Sequence, residues 1–584
     1  MRSKKDYIIA LNISVLLIHL STMAQMYVGS NTFVYTSNQF VYIKQDLELK
    51  ETTSNFYLRN DGQLLQGAIG PSTNKGIGNL SVFQEGTVNN FQYNYWCSPV
   101  GNTLSSTATN NPFGIKQLGT PISITETTPA IILASNIYDG TASPLRIAPY
   151  WVSKFINKTT FSDWVRVESA STLAPGEGFT MKGSSGTNST TINGVQNNPD
   201  GFNQRYDFRG KPNDGTISIP VLAGELSLTG NPYPSTINLQ NFLISETNCT
   251  GIAYFWQQDK TSNSHFIADY KGGYATYSGS NIYVPAPFFK YDGSGKPITQ
   301  INDVATIYPR KYAPIGQGFL IKGLIKGNVQ MKNSNRLFKT EDNSLRYEKR
   351  SNEKTSNTDT TSLIRFNTML NNGPISQTVL AFNPLSTDGI DRYMDASSQN
   401  DYPANVNFLI SNKEYVINSL AFDSNKKIAI GFRSTSPANY KITVNQILNL
   451  PEVINVYLHD KTTDIYYDIK NSFYELNLAA GTTNTRYEIT FKNNTLGVDE
   501  ITKNNFIMIQ NNIEKILTIQ NPFQKEISNY SIYDITGKLI ANKNNLGNEL
   551  SYLFPTSNLT TGIYIVKITS IDKLEEGLKI IIQN

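Results

Sequence analysis

An all-β chain of several antiparallel β-sandwich domains in tandem is what this sequence predicts, and three observations carry that reading. Charged residues make up only 16% of the chain while Tyr and Gly are abundant, a mixture that suits strands and turns. Apolar runs have strand length and are bounded by Gly, Asn, Asp and Pro. No sustained 3.6-residue periodicity occurs, so long amphipathic helices are not expected. A chain of 584 residues has room for about three or four such domains.

The first segment reads as a targeting element. Arg2, Lys4 and Lys5 precede a mainly apolar stretch at 8–20, and Thr22-Met23-Ala24 offers small residues where a signal peptidase reads. Residues 1–24 therefore read as a signal peptide cut after Ala24. The apolar stretch is shorter than the roughly 20 residues of a spanning helix, and no later segment approaches that length, so the mature protein is expected to lack a transmembrane segment. Losing Arg2, Lys4, Lys5 and Asp6 moves the formal charge from +4 to about +2. Such a surface offers no electrostatic attraction for nucleic acid or anionic lipid.

Residues 25–92 read as an N-terminal β region. Within it Asn60-Asp61-Gly62 separates two short apolar runs, 57–59 and 63–65, the pattern of a β-hairpin. Residues 93–339 contain a duplicated β unit, with copies at about 93–183 and 226–323. Ser98-Pro99-Val100-Gly101-Asn102 is echoed by Thr229-Gly230-Asn231-Pro232, and Ile147-Ala148-Pro149-Tyr150-Trp151 by Ile252-Ala253-Tyr254-Phe255-Trp256. Residues 174–183 (APGEGFTMKG) recur as 313–323 (APIGQGFLIKG). The interval after Trp256 is the longer one, and its extra Tyr-, Gly- and Pro-rich sequence reads as an exposed loop. Cys97 and Cys249 are either a disulfide pair or two buried thiols.

Residues 340–362 almost lack apolar side chains and read as a polar linker. Asp359-Thr360-Thr361 inside it resembles a short O-glycosylation acceptor. Strand-like runs return at 363–497, without intervening helices, as in an antiparallel β-sandwich. The final segment, 502–584, holds another set: 513–520, 527–533, 550–554, 563–568 and 578–582, with turns at Thr536-Gly537-Lys538 and Thr561-Gly562. In residues 562–568 both faces are largely apolar, which implies a strand covered on two sides.

Residues 531–540 (SIYDITGKLI), 559–568 (LTTGIYIVKI) and 579–582 (KIII) occur in that order at the end of the chain. Together they resemble the C-terminal sorting domain of Bacteroidetes type IX secretion cargo. The resemblance implies an Ig-like β-sandwich, engagement of the outer-membrane type IX translocon, and a protein left free or on the cell surface. The motif positions carried over are Tyr533, Asp534, Gly537, Lys538, Gly562, Tyr564 and Lys579. Residues 379–396 resemble the stretch that precedes type C sorting signals, with type A as the alternative subtype. Residues 52–102 resemble N-terminal modules of secreted flavobacterial proteins, to which no activity attaches.

Chemistry-bearing patterns are sparse. Beyond the signal the only histidines are His265 and His459, outside any metal-ligand spacing, and no G-x-S-x-G elbow, P-loop or dinucleotide fingerprint occurs. Glu177 sits in a Gly-rich turn, and its repeat counterpart is Gln317, so it reads as a turn residue rather than an acid. Asp388, Asp391, Asp395 and Asp401 read as a polar turn, with a Ca²⁺ site as the alternative. No catalytic residue, metal or cofactor is expected. Trp151 and Trp256 are the candidate aromatic platform for a surface glycan, against ordinary core packing. The expected function is a secreted or cell-surface non-catalytic protein, adhesive or structural. The alternative is a secreted polysaccharide-active enzyme or carbohydrate-binding module.

Overall fold

A computed structural model describes residues 25–304, 308, 310–341, 361–399, 402–450, 455–493 and 506–583. The signal peptide expected at 1–24, most of the linker expected at 340–362, and Asp401 lie outside the described residues. The architecture is all-β, and among the described residues one α-helix occurs, Leu239–Ser245.

The N-terminal strands differ from the expected hairpin. Strands β1 (Met26–Val28), β2 (Phe33–Ser37) and β3 (Phe40–Ile43) form one coil; β4 (Leu47–Leu49), β5 (Asn55–Arg59) and β6 (Gln63–Gln66) form a second; β7 (Lys75–Gly76) and β8 (Asn79–Glu85) begin a third. Each strand pairs in parallel with its counterpart one coil away: β1 with β4 and β4 with β7, β2 with β5 and β5 with β8, β3 with β6. The period is about 22 residues, that of a short solenoid. Asn60 and Asp61 both take positive φ, 45° and 62°, but they turn a solenoid corner, so β5 and β6 do not pair with each other. Left-handed residues suit either corner or hairpin, which is why the local signal misleads.

The solenoid runs directly into the first repeat copy. Strand β8 pairs with Arg205–Pro212, and Phe56, Leu58, Leu64 and Val82 share one apolar core with Trp96, Phe113, Phe179 and Phe208. In copy one, β9 (Tyr93–Cys97) pairs with Gly178–Lys182, setting Phe179 opposite Trp96 and Gly178 opposite Cys97. In copy two, Leu226–Gly230 pairs with Gly318–Gly323, setting Phe319 opposite Thr229 and Gly318 opposite Gly230. The two registers are equivalent. The copies also exchange contacts: Cys97 N donates to Gly316 O at 2.8 Å, and Thr229 Oγ1 donates to Gly176 O at 2.8 Å. Each Gly-rich turn thus lies on the other copy's strand, as in a pseudo-two-fold dimer.

Two expectations fail here. Ser153 stands opposite Thr180, whereas Tyr254 stands opposite Leu320, the counterpart of Thr180. Trp151 therefore corresponds to Ile252 in space, not to Trp256. The long sequence after Trp256 is not a loop; it builds Lys271–Ser278, Ile282–Val284, Pro287–Tyr291 and Pro297–Val304 in the copy-two sheet. Ala275, Tyr277, Tyr283 and Phe289 from it are buried. Alternation, not composition, was the deciding signal.

Beyond the linker, a five-stranded and a six-stranded sheet enclose a third core around Phe366, Leu380, Phe408, Ile430 and Ile489. Its outer face packs Leu363, Val379 and Ile417 against Leu228, Tyr254 and Leu320 of copy two. The last unit is a second sandwich, of three strands over four, with Leu517, Ile519, Tyr530, Val566 and Ile580 inside. Its strands include two the sequence did not suggest, Ile507–Asn511 and Leu539–Gly547. The second is Asn-rich and mostly exposed along a sheet margin, so it carries almost no apolar alternation.

Candidate binding surface

The pleat of copy one fixes the site. Because Lys182 pairs with Tyr93 and Thr180 with Tyr95, these four side chains leave one face of the sheet while Trp96 and Phe179 enter the core on the other. Above Lys182 converge a 3₁₀ turn, Pro149–Trp151, the segment around Asp139, and a copy-two segment carrying His265 and Tyr270.

Lys182 is 5% exposed. Its Nζ donates to Tyr270 Oη at 2.6 Å and lies 3.0 Å from His265 Nδ1. The other ring nitrogen, Nε2, lies 2.9 Å from Asp139 Oδ1. A neutral imidazole that accepts at Nδ1 from the ammonium and donates at Nε2 to the carboxylate satisfies all three groups. Burial lowers the Lys182 pKa to about 7, with Asp139 opposing that shift. Burial also lowers the His265 pKa, reinforced by the Lys182 charge and opposed by Asp139.

Aromatic rings enclose this series. Lys182 Nζ sits 3.6 Å from the Trp151 ring centroid, and the His265 ring stacks on Trp151 at 4.9 Å and 19°. Since Nζ and His265 touch each other, both cover the same face of Trp151. The indole donates Nε1–H to Tyr138 O at 2.8 Å. Tyr150 meets Trp151 edge-on at 4.6 Å, and the Arg166 guanidinium lies 3.8 Å over Tyr150. The inner part of the cluster is thus filled. Its outer rim is open: Tyr138, Asp139 and Arg166 are exposed. An aromatic ring, a carboxylate and a guanidinium on one rim suit a ligand with apolar faces and many hydroxyls.

Trp256 belongs elsewhere. It donates Nε1–H to Gln258 Oε1 at 2.8 Å, meets Tyr274 at 5.2 Å and Tyr291 at 6.1 Å, and packs in the seam with the third core. Trp151 and Trp256 do not form one platform, because the landmark that paired them is out of register. Composition could not reveal Asp139, Lys182 or His265 as a group. The one available signal was the Lys at the end of the repeated turn-and-strand element.

The remaining candidates are held by contacts within the fold. Glu177 accepts from Ala174 N at 2.9 Å and pairs with Lys154 at 3.0 Å, while Gln317 is 3% exposed and donates to Gly318 O at 2.6 Å. Asp395 accepts from Asp391 N and Ser419 N at 2.6 and 2.7 Å, and burial raises its pKa to about 7. Asp391 in turn caps Thr387, and Asp388 pairs with Lys426. His459 lies between Glu488 and Asp464 at 2.8 and 2.9 Å and stacks on Tyr466. Cys97 and Cys249 are both buried and unbridged.

In the C-terminal unit Asp534 and Gly537 form a tight turn: Asp534 Oδ1 accepts from Thr536 N and Lys538 N, and Gly537 has φ +85°. Gly562 opens the long central strand, and Tyr564 donates to Thr560 O at 2.9 Å. The strand is covered on both sides, as expected: Tyr564 and Val566 enter the core, and the opposite face meets the preceding sandwich. There Lys579 Nζ donates to Val444 O at 2.9 Å, Tyr533 meets Phe473 edge-on at 5.0 Å, and Lys567 lies 4.9 Å over Phe473.

The chain matches two family profiles. One, described as a domain of unknown function (DUF8693), matches residues 8–491. The other, described as a secretion system C-terminal sorting domain, matches residues 511–583. No curated protein matches the chain.

Proposed function

The chain belongs to the DUF8693 family and is cargo of type IX secretion, and on that premise we propose that it is a non-catalytic adhesive protein that binds glycan outside the cell through the rim around Tyr138. Its sorting domain directs it to the cell surface or extracellular space. Passage of the inner membrane by the signal at 1–24, with cleavage after Ala24, is part of the same proposal.

The observation that carries the reading is the exposed trio of Tyr138, Asp139 and Arg166 on a filled base. A pre-organised base limits the ordering cost of binding. The ring can stack on the C–H face of a sugar while the two charged groups bond its hydroxyls. The Asp139–His265–Lys182 series has the form of a proton relay, but Lys182 is 5% exposed and its Nζ is already engaged by Tyr270, His265 and the Trp151 ring. That enclosure supports a structural rather than a catalytic role.

A glycan array on residues 25–584, run beside a hydrolysis screen on the same glycans, tests the proposal. Tyr138→Ala and Arg166→Ala are each expected to weaken binding by about tenfold, roughly 1.4 kcal/mol, with a loss of stability of about 0.5–1.5 kcal/mol from the contacts with Tyr150. Turnover of an arrayed glycan would overturn the non-catalytic reading, and binding indifferent to both substitutions would exclude this rim.

A further inference from the structure

Among the described residues, the first solenoid coil is an open end. Strand β2 is the margin of its seven-stranded sheet, β1 of its three-stranded sheet, and β3 of its two-stranded sheet. All three margins lie on the same side, because each strand's one partner is in coil two. Marginal strands in soluble proteins are ordinarily protected by charge, Pro or a covering element. Here residues 26–43 contain no Asp, Glu, Lys, Arg, His or Pro. They instead expose Tyr27 (63%), Phe33 (60%), Phe40 (47%) and Tyr42 (59%), with Tyr35 at 39%. Coil two, which is covered, carries Asp46, Glu48, Glu51 and Arg59. The unprotected coil is the one that faces outward.

We propose that this coil is the interface with a second copy of the same chain. Three observations select that occupant. The three marginal strands carry no charge, so their pairing with an identical copy meets no like-charge repulsion. Its aromatic side chains are suited to face their own kind across paired strands. The opposite end of the solenoid is occupied: β8 pairs with Arg205–Pro212, Gly76 N donates to Ser106 O, and Leu64 N donates to Pro234 O. Head-to-tail stacking is therefore blocked, and the arrangement left is isologous and closes at two copies. A two-fold axis through the middle of β2 sets β2 antiparallel to its own copy and β1 against β3 of the second chain. Tyr35, at the centre of β2, then lies near the axis.

Sedimentation velocity on residues 25–584 at about 100 µM, far above the Kd of a specific dimer, is expected to give twice the chain mass. Tyr35→Lys and Tyr35→Glu, at a side chain pointing out of the coil, should each give the single-chain mass, with a cooperative melt whose midpoint no longer depends on concentration. Mixing the two variants should restore the double mass, because opposite charges then meet at the axis. Amide exchange at 33–37, read on the wild type alone, should slow when the dimer forms. A wild-type monomer at that concentration, a dimer that survives both variants, a mixture that stays monomeric, or exchange at 33–37 that ignores concentration would each overturn the proposal.

Discussion

The two copies of the repeated element share a backbone and differ in chemistry. Gly176 and Gly316 turn with φ of +83° and +80°, and Phe179 and Phe319 are both fully buried. Yet Glu177 pairs with a partly exposed Lys154, while Gln317 is buried beside Arg310 at 3.4 Å. Lys182 is sealed by the copy-two segment that carries His265 and Tyr270, whereas its counterpart Lys322 is only half-buried. Backbone shape is what the duplication preserves, because each turn must fit the other copy's strand. Charge is set by whatever the neighbouring insert brings.

Breaking the shared part should cost most. Phe179→Ala and Phe319→Ala are each expected to destabilise by about 3–5 kcal/mol in denaturant melts of the mature chain; a large difference between them would mean that the copies are not equivalent cores. The two turn glycines should split. A Cβ at Gly176 would meet Ile217 Cγ2 at 2.8 Å, whereas at Gly316 the nearest atom is in Trp96 at 3.4 Å. Gly176→Ala should therefore cost about 2–4 kcal/mol, combining left-handed strain with overpacking, and Gly316→Ala about 1–2 kcal/mol. Equal losses would show that backbone strain alone decides.

The divergent part should respond to pH. Lys182 has a folded-state pKa near 7 against 10.5 for the ordinary side chain, so between those values the unfolded chain holds the extra proton and stability rises with pH. Below pH 7 the penalty is fully present. Relative to Lys182→Met, the wild type should gain on the order of 1–2 kcal/mol between pH 7 and 9. The smallest effect is expected from Glu177→Gln, about 0.5–1 kcal/mol, since Gln can still accept from Ala174 N but loses the Lys154 charge pair.

What was legible in the sequence follows from range. The Gly-rich turn and its Phe are a local pattern, and the sorting motif is a local pattern, so both were visible. The site was not: Asp139, Lys182 and His265 come from three separated segments, and only the fold joins them. The solenoid was hidden for a different reason. Asn60-Asp61-Gly62 satisfies hairpin and corner equally, and the deciding fact is a period of about 22 residues shared by diverged coils. Trp151 and Trp256 were paired by a short motif, but in space Trp151 corresponds to Ile252, and such a shift cannot be seen from composition.

The side chain of Gln63 in coil two donates to Lys339 O, across 276 residues, and accepts from Thr236 N. Contacts over such a span form only after a long loop has closed, and topologies rich in them fold slowly. This corner of the solenoid is therefore completed only once the last segment before the linker is in place. During that interval the uncharged aromatic stretch at 26–43 is exposed in an unfinished chain, where it favours aggregation. An exported protein built this way depends on a low concentration of unfolded neighbours at the moment of emergence, a demand set by kinetics rather than by the stability of the final structure.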